Sequence, residues 1–150
     1  MSTLLKDAKL FRNKGGAFSP ADVKELDGKD VIAFYFSAHW CRPCRDFTPQ
    51  LKDFYNEVNK GSSKLEVVFF SFDNNEESCH DYLKEAHGDW LFLEAGDPKI
   101  GEIAYKFKFM GIPALLLVNK NGEKVGDVRA DVTDIPPLVA ISQWIEKVKQ

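Results

Sequence analysis

Three long apolar runs constrain the fold of this chain more than any other feature. Residues 31–37 read VIAFYFS, residues 65–73 read LEVVFFSFD and residues 114–119 read ALLLVN. Runs of β-branched and aromatic side chains of this length predict strands that are buried on both faces of a sheet. Helical patterns separate the runs, and strands that alternate with helices form a sheet with a parallel part. The sequence therefore predicts an α/β fold: a central mixed β-sheet flanked by helices on both faces.

The segments around these strands carry helix and turn signals. A stripe at helical spacing predicts a helix that packs against the core, formed by Phe47, Leu51, Phe54, Tyr55 and Val58. Further helices are predicted from Asn74 to Gly88, from Asp97 onward, and along a last stripe of Leu138, Ile141, Ile145 and Val148. Asn121-Gly122 predicts a β-hairpin, and residues 10–30 are predicted to form a short leading strand and turns.

Chain length and charge limit the classes of partner. The 150 residues are enough for one domain with a full hydrophobic core, and we expect a single domain over 1–150. The 20 basic and 23 acidic residues are mixed along the chain and give a net charge of −3. There is no basic stripe to predict a nucleic-acid partner, and no apolar run approaches the length of a membrane span. We therefore expect no nucleic-acid or membrane partner. Nothing in the sequence demands more than a monomer, so a monomer is expected.

The N-terminus and the cysteines predict the compartment. The first 16 residues contain no apolar run longer than a pair such as Leu4-Leu5, whereas a signal peptide needs a much longer apolar region. We therefore expect a cytoplasmic location, with the nucleus as a second one, where thiols are kept reduced. Three cysteines in such a compartment do not form a disulfide framework.

Two cysteines lie where the first buried strand leads into the first predicted helix. Residues 37–49 read SAHWCRPCRDFTP and place Cys41 and Cys44 on either side of Arg42-Pro43. Unpaired N–H groups and the helix dipole favour a thiolate at Cys41, and Arg42 adds a positive charge. Cys44 lies one turn later on the same side, near enough to attack a mixed disulfide formed by Cys41. Pro43 fixes its backbone near the helical φ. The spacing therefore favours a catalytic dithiol.

Three other interpretations of the pair remain open at this point. Half a zinc site needs two further ligands, and the candidates are Cys79 and three histidines, without a second paired cluster. Cys79 shares a helix face with Tyr82 and Leu83, which favours a position in the core. A stable structural disulfide does not suit a reducing compartment, and inert thiols at chance spacing leave the helix-start position unexplained. No metal site is predicted.

The segment FSAHWCRPCRDFTPQL, residues 36–51, strongly resembles the active-site segment of the thioredoxin superfamily, and most closely its tryparedoxin and nucleoredoxin branch. The resemblance is clearest over residues 28–131, and it includes EVVFFSFD at 66–73 and GIPALLLVN at 111–119. A lone Cys-x-x-Cys would be a weak signal, but this combination of motifs is specific. The resemblance implies a thioredoxin-like fold for the predicted sheet and helices.

The same resemblance implies roles for the residues around the dithiol. Cys41 would be the exposed nucleophile and Cys44 the buried resolving thiol. Trp40 would shield the pair and shape a docking surface, although ordinary packing is the alternative for a single tryptophan. Pro49 corresponds to the family's helix-kinking proline.

Ile112-Pro113 resembles the cis-proline loop of the family. An X-Pro bond is cis in only about 5–6% of cases in folded proteins, so this expectation depends on the resemblance alone. By that resemblance Pro113 would lie beside the cysteines, and the backbone around Ile112 would pair with an extended substrate segment. Together with Trp40, Arg42 and Pro43, these residues are the expected support and docking residues of the active site.

Three positions depart from the pattern or leave a role open. Arg42 stands where thioredoxins carry glycine and tryparedoxins carry proline. Its positive charge either favours the Cys41 thiolate and acidic partner surfaces, or is simply solvated. Tyr35 stands where thioredoxins have a buried aspartate, as in the tryparedoxin branch, so the proton acceptor for Cys44 is open, with Asp73 as the candidate. Arg129 resembles a substrate-side arginine of tryparedoxins, although an exposed charge is the simpler interpretation.

The function predicted from these observations is a thiol–disulfide oxidoreductase that reduces protein disulfides through Cys41 and Cys44. No glycine-rich dinucleotide motif is present, so we expect no cofactor beyond the redox-active disulfide. Electrons would come from an external reductase or a small dithiol of the glutathione or trypanothione type. The resemblance implies peroxidases or signalling proteins as acceptors. The alternative is a redox-regulated protein-binding module of the nucleoredoxin type with little turnover.

Overall fold

A computed structural model of the chain describes residues 3–149. Residues 1, 2 and 150, the ends of the predicted domain, lie outside the described residues. The strands are β1 Leu10–Lys14, β2 Ala17–Pro20, β3 Val31–Ser37, β4 Leu65–Ser71, β5 Leu91–Leu93, β6 Ala114–Val118 and β7 Lys124–Asp127. The helices are α1 Arg42–Val58, α2 Glu76–Ala86, α3 Pro98–Phe107, α4 Arg129–Asp134 and α5 Pro137–Val148, with a 3₁₀ helix at Val23–Leu26.

The strands form one seven-stranded mixed sheet in the order β2-β1-β5-β4-β3-β6-β7. At its centre β3 pairs in parallel with β4 and antiparallel with β6. The register places Tyr35 opposite Phe69 on one side and Leu115 on the other. The predicted hairpin at Asn121-Gly122 is present, since β6 pairs antiparallel with β7. The predicted thioredoxin-like sheet with parallel and antiparallel parts is therefore confirmed.

Successive residues of β3 point to opposite faces of the sheet. Val31, Ala33 and Tyr35 belong to a core cluster that includes buried side chains of α1, α2 and α5. Ile32, Phe34 and Phe36 belong to a second cluster with side chains of α3 and Leu26 of the 3₁₀ helix. Because both faces are covered, a strand at the centre of the sheet cannot alternate with polar residues. This explains the unbroken apolar run of β3 and confirms helices on both faces.

The structure differs from the sequence-based prediction in several elements. The N-cap of α2 is Asn75 rather than Asn74, and its side chain accepts the backbone N–H of Ser78 at 2.8 Å. In α5 the predicted stripe is confirmed at Ile141, Ile145 and Val148, which face the core. It is wrong at Leu138, which is 61% exposed, and it omits Trp144, which is fully buried. The leading strand proves to be a hairpin of β1 and β2, and the short β5 has no counterpart in the prediction. Within the described residues no helix is both long enough and apolar enough to cross a membrane.

Candidate active site

The two cysteines lie at the junction between the central strand and the first helix. β3 ends at Ser37, and Cys41 is the N-cap of α1 with extended backbone angles (φ −91°, ψ 109°). The Cys41 sulfur takes the place of a capping oxygen and accepts the backbone N–H of Cys44 at 3.4 Å. Both side chains are free thiols. The helix start therefore holds the first sulfur directly over its unpaired N–H groups.

The two thiols were predicted to differ clearly in solvent exposure, but in the structure both are buried. Cys44 is completely buried, as predicted, but Cys41 is only 7% exposed. The prediction that Cys41 is exposed is therefore wrong in degree. Its sulfur is covered by the turn that caps the helix and faces the carbonyl oxygen of Ile112 at 4.0 Å.

The loop before β6 closes the other side of Cys41. The Ile112-Pro113 peptide bond is cis, as the resemblance implied. Pro113 is buried and Ile112 is partly exposed. The structure thus brings Cys41 together with Ile112, residues that are 71 positions apart in sequence.

The remaining docking candidates are exposed around the same junction. The Trp40 side chain is 60% exposed, and its indole N–H donates to the carbonyl oxygen of Phe72 at 3.0 Å. Arg42 and Pro43 are exposed at the first two positions of α1. Met110, two residues before Ile112, is fully exposed, and no motif in the sequence marks it. An apolar side chain therefore stands exposed on each of the two segments that meet at Cys41.

Asp73, the predicted proton acceptor for Cys44, is engaged elsewhere. Its carboxylate accepts the backbone N–H of His39 and the Ser71 hydroxyl, each at 2.8 Å. Its charge acts on Cys79, whose pKa is raised to about 12, first by burial and then by Asp73. Among the contacts of the described residues, none joins Asp73 to the Cys44 thiol. Its assignment as proton acceptor stays a prediction.

A buried group of hydroxyls reaches the backbone of Cys44, and we call it the hydroxyl cluster: Ser37, Tyr82, Thr48 and Tyr35. Burial raises the pKa of Cys44 to about 12, and a hydrogen bond with Cys41 acts in the same direction. Ser37 and the backbone of Ala38 lower it. Tyr35 was predicted to lie in a strand and Tyr82 on a core face, whereas no role was predicted for Ser37 and Thr48.

Within the cluster the hydroxyls are joined by short contacts. Tyr82 lies 2.6 Å from Ser37 and 2.5 Å from Thr48, measured between the oxygens, and Tyr35 lies 2.6 Å from Thr48. The Thr48 hydroxyl donates to the backbone carbonyl of Cys44 at 2.8 Å. The cluster connects β3, α1 and α2 and is joined to the backbone of Cys44 through Thr48.

Two further residues singled out in the sequence are Pro49 and Arg129. Pro49 lies inside α1, as predicted. Arg129 begins α4 and is exposed, and its backbone N–H donates to the Asp127 carboxylate at 2.8 Å. Over the part of the chain that the structure describes, no group of three or more His, Cys, Asp or Glu side chains is arranged to hold a metal ion.

Comparisons with known proteins agree with this geometry. The profile of a family described as thioredoxin-like matches residues 28–124. The chain therefore belongs to the thioredoxin-like family, and the close pair Cys41 and Cys44 is its Cys-x-x-Cys motif.

Within that family the chain is similar to two groups of relatives, the tryparedoxins and the nucleoredoxins. The chain is 41% identical over 120 residues to the tryparedoxin of Trypanosoma brucei brucei, covering 79% of this chain and 78% of the relative. It is 40% identical over 103 residues to the probable nucleoredoxin 1 of Arabidopsis thaliana, covering 69% of this chain but only 17% of that longer protein.

Solved structures of a thioredoxin and of tryparedoxins are also similar to this chain. A thioredoxin from Wuchereria bancrofti superposes with a TM-score of 0.78 at 38% identity, over 95% of this chain and 96% of that chain. Tryparedoxin I from Crithidia fasciculata superposes with a TM-score of 0.76 at 32% identity, over 91% and 92% of the two chains. The chain is thus a thioredoxin-like protein similar to tryparedoxins and to one portion of nucleoredoxins.

Proposed function

We propose that this protein is a thiol–disulfide oxidoreductase that reduces disulfides in other proteins through Cys41 and Cys44. The observation that carries the proposal is the position of the Cys41 sulfur at the N-cap of α1, where it accepts the Cys44 N–H. A donated N–H at a helix N-terminus stabilises negative charge on sulfur, and the thiolate is the species that attacks a disulfide. Cys44 is fully buried behind it and suits the second, intramolecular attack.

The reaction has two steps. The Cys41 thiolate attacks one sulfur of the partner's disulfide, forms a mixed disulfide and releases the other sulfur as a thiolate. Cys44 loses its proton and attacks the Cys41 sulfur, so that the Cys41–Cys44 disulfide forms and the second partner sulfur leaves and is protonated. The protein is oxidised by two electrons, and the partner ends as a dithiol.

The surface around Cys41 supports an extended partner segment. The partly exposed Ile112 lies next to the sulfur and offers backbone groups that can pair with a strand. Trp40 provides an exposed aromatic surface beside the sulfur, and Arg42 adds a positive charge. We therefore expect partner segments that carry an apolar side chain next to the disulfide, with acidic residues nearby.

Return to the dithiol form needs an outside donor. We propose a partner reductase or a small dithiol of the glutathione or trypanothione type. Disulfide-containing peroxidases or signalling proteins would be the physiological acceptors. The cytoplasm, and in addition the nucleus, is the proposed location, because the cycle requires a reducing environment.

Reduction of insulin disulfides driven by a small dithiol tests the proposal. The wild-type protein should accelerate the reaction well beyond the dithiol alone, and Cys41→Ser should be inactive. Cys44→Ser should accumulate a mixed disulfide through Cys41, which mass spectrometry detects. Cys79→Ser is the matched control, because it removes a buried thiol outside the motif and should leave turnover intact. A wild-type rate equal to that of free dithiol would contradict the proposal.

A second function is favoured by the exposed apolar side chains of Trp40 and Met110. Exposed apolar patches mark protein-interaction sites, so the protein could act as a binding module whose dithiol switches a partner contact. In that case partner binding would depend on the redox state, and Cys44→Ser would abolish this dependence without trapping the partner covalently. Covalent trapping of the partner favours the enzyme.

A further inference from the structure

Residues 38–41 form a tight turn between β3 and α1, which we call the Cys41 turn. The backbone N–H of Cys41 closes it by donating to the carbonyl oxygen of Ala38 at 3.2 Å. His39 and Trp40 are its two central residues. Because Cys41 ends the turn and is also the N-cap of α1, the conformation of the turn determines where the sulfur lies.

The backbone of His39 is bound by two charged side chains. Its N–H donates to the Asp73 carboxylate, just beyond β4, at 2.8 Å. Its carbonyl oxygen accepts from the guanidinium of Arg45 in α1 at 2.6 Å. These bonds tie the Cys41 turn to β4 and to α1, but neither of them requires a histidine at position 39.

The imidazole of His39 makes two further contacts, both with α2. Its Nε2 lies 2.9 Å from the Glu85 carboxylate, and its ring stacks on Tyr82 with centroids 5.4 Å apart and planes at 20°. Because an ionised carboxylate only accepts, Nε2 carries a hydrogen and donates it whether the ring is neutral or charged. Tyr82 is fully buried and contacts Ser37 and Thr48 through its hydroxyl, so the imidazole stacks on a fixed surface.

We propose that His39 is a positioning residue for disulfide reduction, whose imidazole fastens the Cys41 turn to α2 and so keeps the Cys41 sulfur at the N-cap of α1. The inference rests on the proposed function of the dithiol. A turn that leaves this conformation would carry the sulfur away from the unpaired N–H groups that favour its thiolate. Among the hydrogen bonds of the described residues, none joins the imidazole to either cysteine, so His39 acts through the backbone of the turn.

His80 of α2 provides a matched control. Its Nε2 lies 2.9 Å from the Glu94 carboxylate, and the side chains of His39 and His80 are 27% and 28% exposed. The His80 ring also contacts an aromatic ring, that of Phe18 in β2, with centroids 4.7 Å apart. In the sheet β2 is separated from β3 by β1, β5 and β4. His80→Ala therefore removes the same kinds of contact at a distance from the Cys41 turn.

A chromogenic aromatic disulfide, dithiobis(nitrobenzoate), tests the proposal in a stopped-flow experiment, because attack by Cys41 releases the first nitrothiobenzoate. His39→Ala loses an aromatic contact and a partly exposed ion pair, so its first release should be about fivefold slower than in the wild type. His39→Gln keeps a group that can donate to Glu85, and His39→Phe keeps a ring on Tyr82, so each should recover part of the rate. His80→Ala should react at the wild-type rate.

Amide hydrogen exchange distinguishes positioning from general support of the fold. His39→Ala and His80→Ala should lower the free energy of unfolding by similar amounts, but only His39→Ala should accelerate exchange of the Cys41 amide, whose hydrogen bond closes the turn. The inference is overturned if that amide exchanges alike in the two variants, or if His80→Ala slows the first release as much as His39→Ala does. It is also overturned if His39→Ala reacts within about twofold of the wild type, less than the lost contacts would give.

The second release of nitrothiobenzoate, by attack of Cys44 on the mixed disulfide, reports on the dithiol itself. A wild-type protein that gives the first release but never the second would overturn the proposed function. If the wild type gives both releases and His39→Ala matches it, only the role of His39 is overturned.

Discussion

The indole N–H of Trp40 donates a hydrogen bond to the main-chain carbonyl of Phe72 at 3.0 Å, and it thereby ties the residue before Cys41 to the end of β4. The indole is nevertheless 60% exposed. Its ring is therefore held at a fixed orientation with a large face open to solvent. A rigid, exposed aromatic side chain beside a nucleophile suits partner binding better than core packing.

We predict that Trp40→Ala raises the KM for insulin several-fold while changing the free energy of unfolding by about 1 kcal/mol or less, because mainly exposed surface is lost. Trp40→Phe should give a smaller increase in KM, since a ring remains. Leu138→Ala on α5 is the control, as it removes an apolar side chain of similar exposure. Steady-state kinetics and urea unfolding measure both quantities. A KM unchanged in Trp40→Ala would exclude the docking role.

A second prediction concerns the ion pair of Arg12 and Glu66. The Glu66 side chain is fully buried, and its carboxylate accepts from Arg12 at 2.8 Å and from Tyr55 at 3.2 Å. Arg12 is 18% exposed and also pairs with Glu25. Arg12→Met should therefore lower the free energy of unfolding by about 3 kcal/mol, because it leaves the buried Glu66 charge without its main partner. Glu66→Gln should lower the free energy of unfolding by less, since Arg12 still pairs with Glu25 and is partly exposed to solvent.

Urea unfolding measures both variants, and the m-value should not change. Glu66 lies at the start of β4, the end of the sheet opposite to Ser71 and the cysteines, so insulin reduction by the folded variants should match the wild type. The double variant Arg12→Met/Glu66→Leu should lose less unfolding free energy than Arg12→Met alone, because no buried charge is left without a partner. Strict additivity of the two costs would contradict the role assigned to the pair.

A third prediction concerns stability at mildly acidic pH. His87 is buried; its Nδ1 accepts the indole N–H of Trp90 at 3.0 Å, so the neutral ring carries its hydrogen on Nε2. Burial lowers the pKa of His87 well below 6.5, with the charges of His39 and Lys52 acting in the same direction. In the unfolded chain the same group binds a proton below about pH 6.5. The unfolded state is therefore favoured as the pH falls.

The free energy of unfolding should thus be insensitive to His87 above pH 7 and decrease below about pH 6.5, by up to about 1.4 kcal/mol per pH unit. The test compares the wild type with His87→Gln between pH 5 and 7, where His39 and His80 contribute to both proteins. The variant should be less stable at pH 7 but should have the flatter pH dependence. Parallel curves would show that His87 titrates alike in the folded and unfolded states.

The sequence predicted those features that depend on local pattern. The strands β3, β4 and β6 and the hairpin are marked by residues close to one another in the chain, and so is the position of Cys41 at a helix start. The cis bond at Ile112-Pro113 was predicted only from the family resemblance, since spacing alone does not indicate it.

Features that depend on packing between distant elements were missed. The hydroxyl cluster joins Ser37 of β3, Thr48 of α1 and Tyr82 of α2, and no local signal relates the three. The burial of Trp144 and the exposure of Leu138 in α5 were missed for the same reason. Trp144 is drawn inward because its ring stacks on Phe54 at 4.9 Å and its indole N–H donates to Asp131. Leu138 is consequently turned outward.

The last prediction concerns Lys124, which holds the end of α3. Its ammonium donates to the carbonyl oxygens of Phe107 at 2.7 Å and Lys108 at 3.1 Å, just before the loop that leads to Ile112. Lys108 itself has a φ of +44°, a strained value for a side chain other than glycine. Lys124→Met keeps the aliphatic stem but removes both charge-assisted bonds, so the loop should lose its anchor.

We expect Lys124→Met to cost about 1 kcal/mol of unfolding free energy, because the ammonium is partly solvated. Amide hydrogen exchange should accelerate at residues 108–112 by more than tenfold, while the amides of α1 change little. The KM for insulin should rise, because the backbone around Ile112 is less often in its binding position. Lys106→Met is the matched control, since it removes the same charge from the last turn of α3 without breaking either bond. If both variants accelerate exchange equally, the effect is one of helix-end charge, and Lys124 does not position the loop.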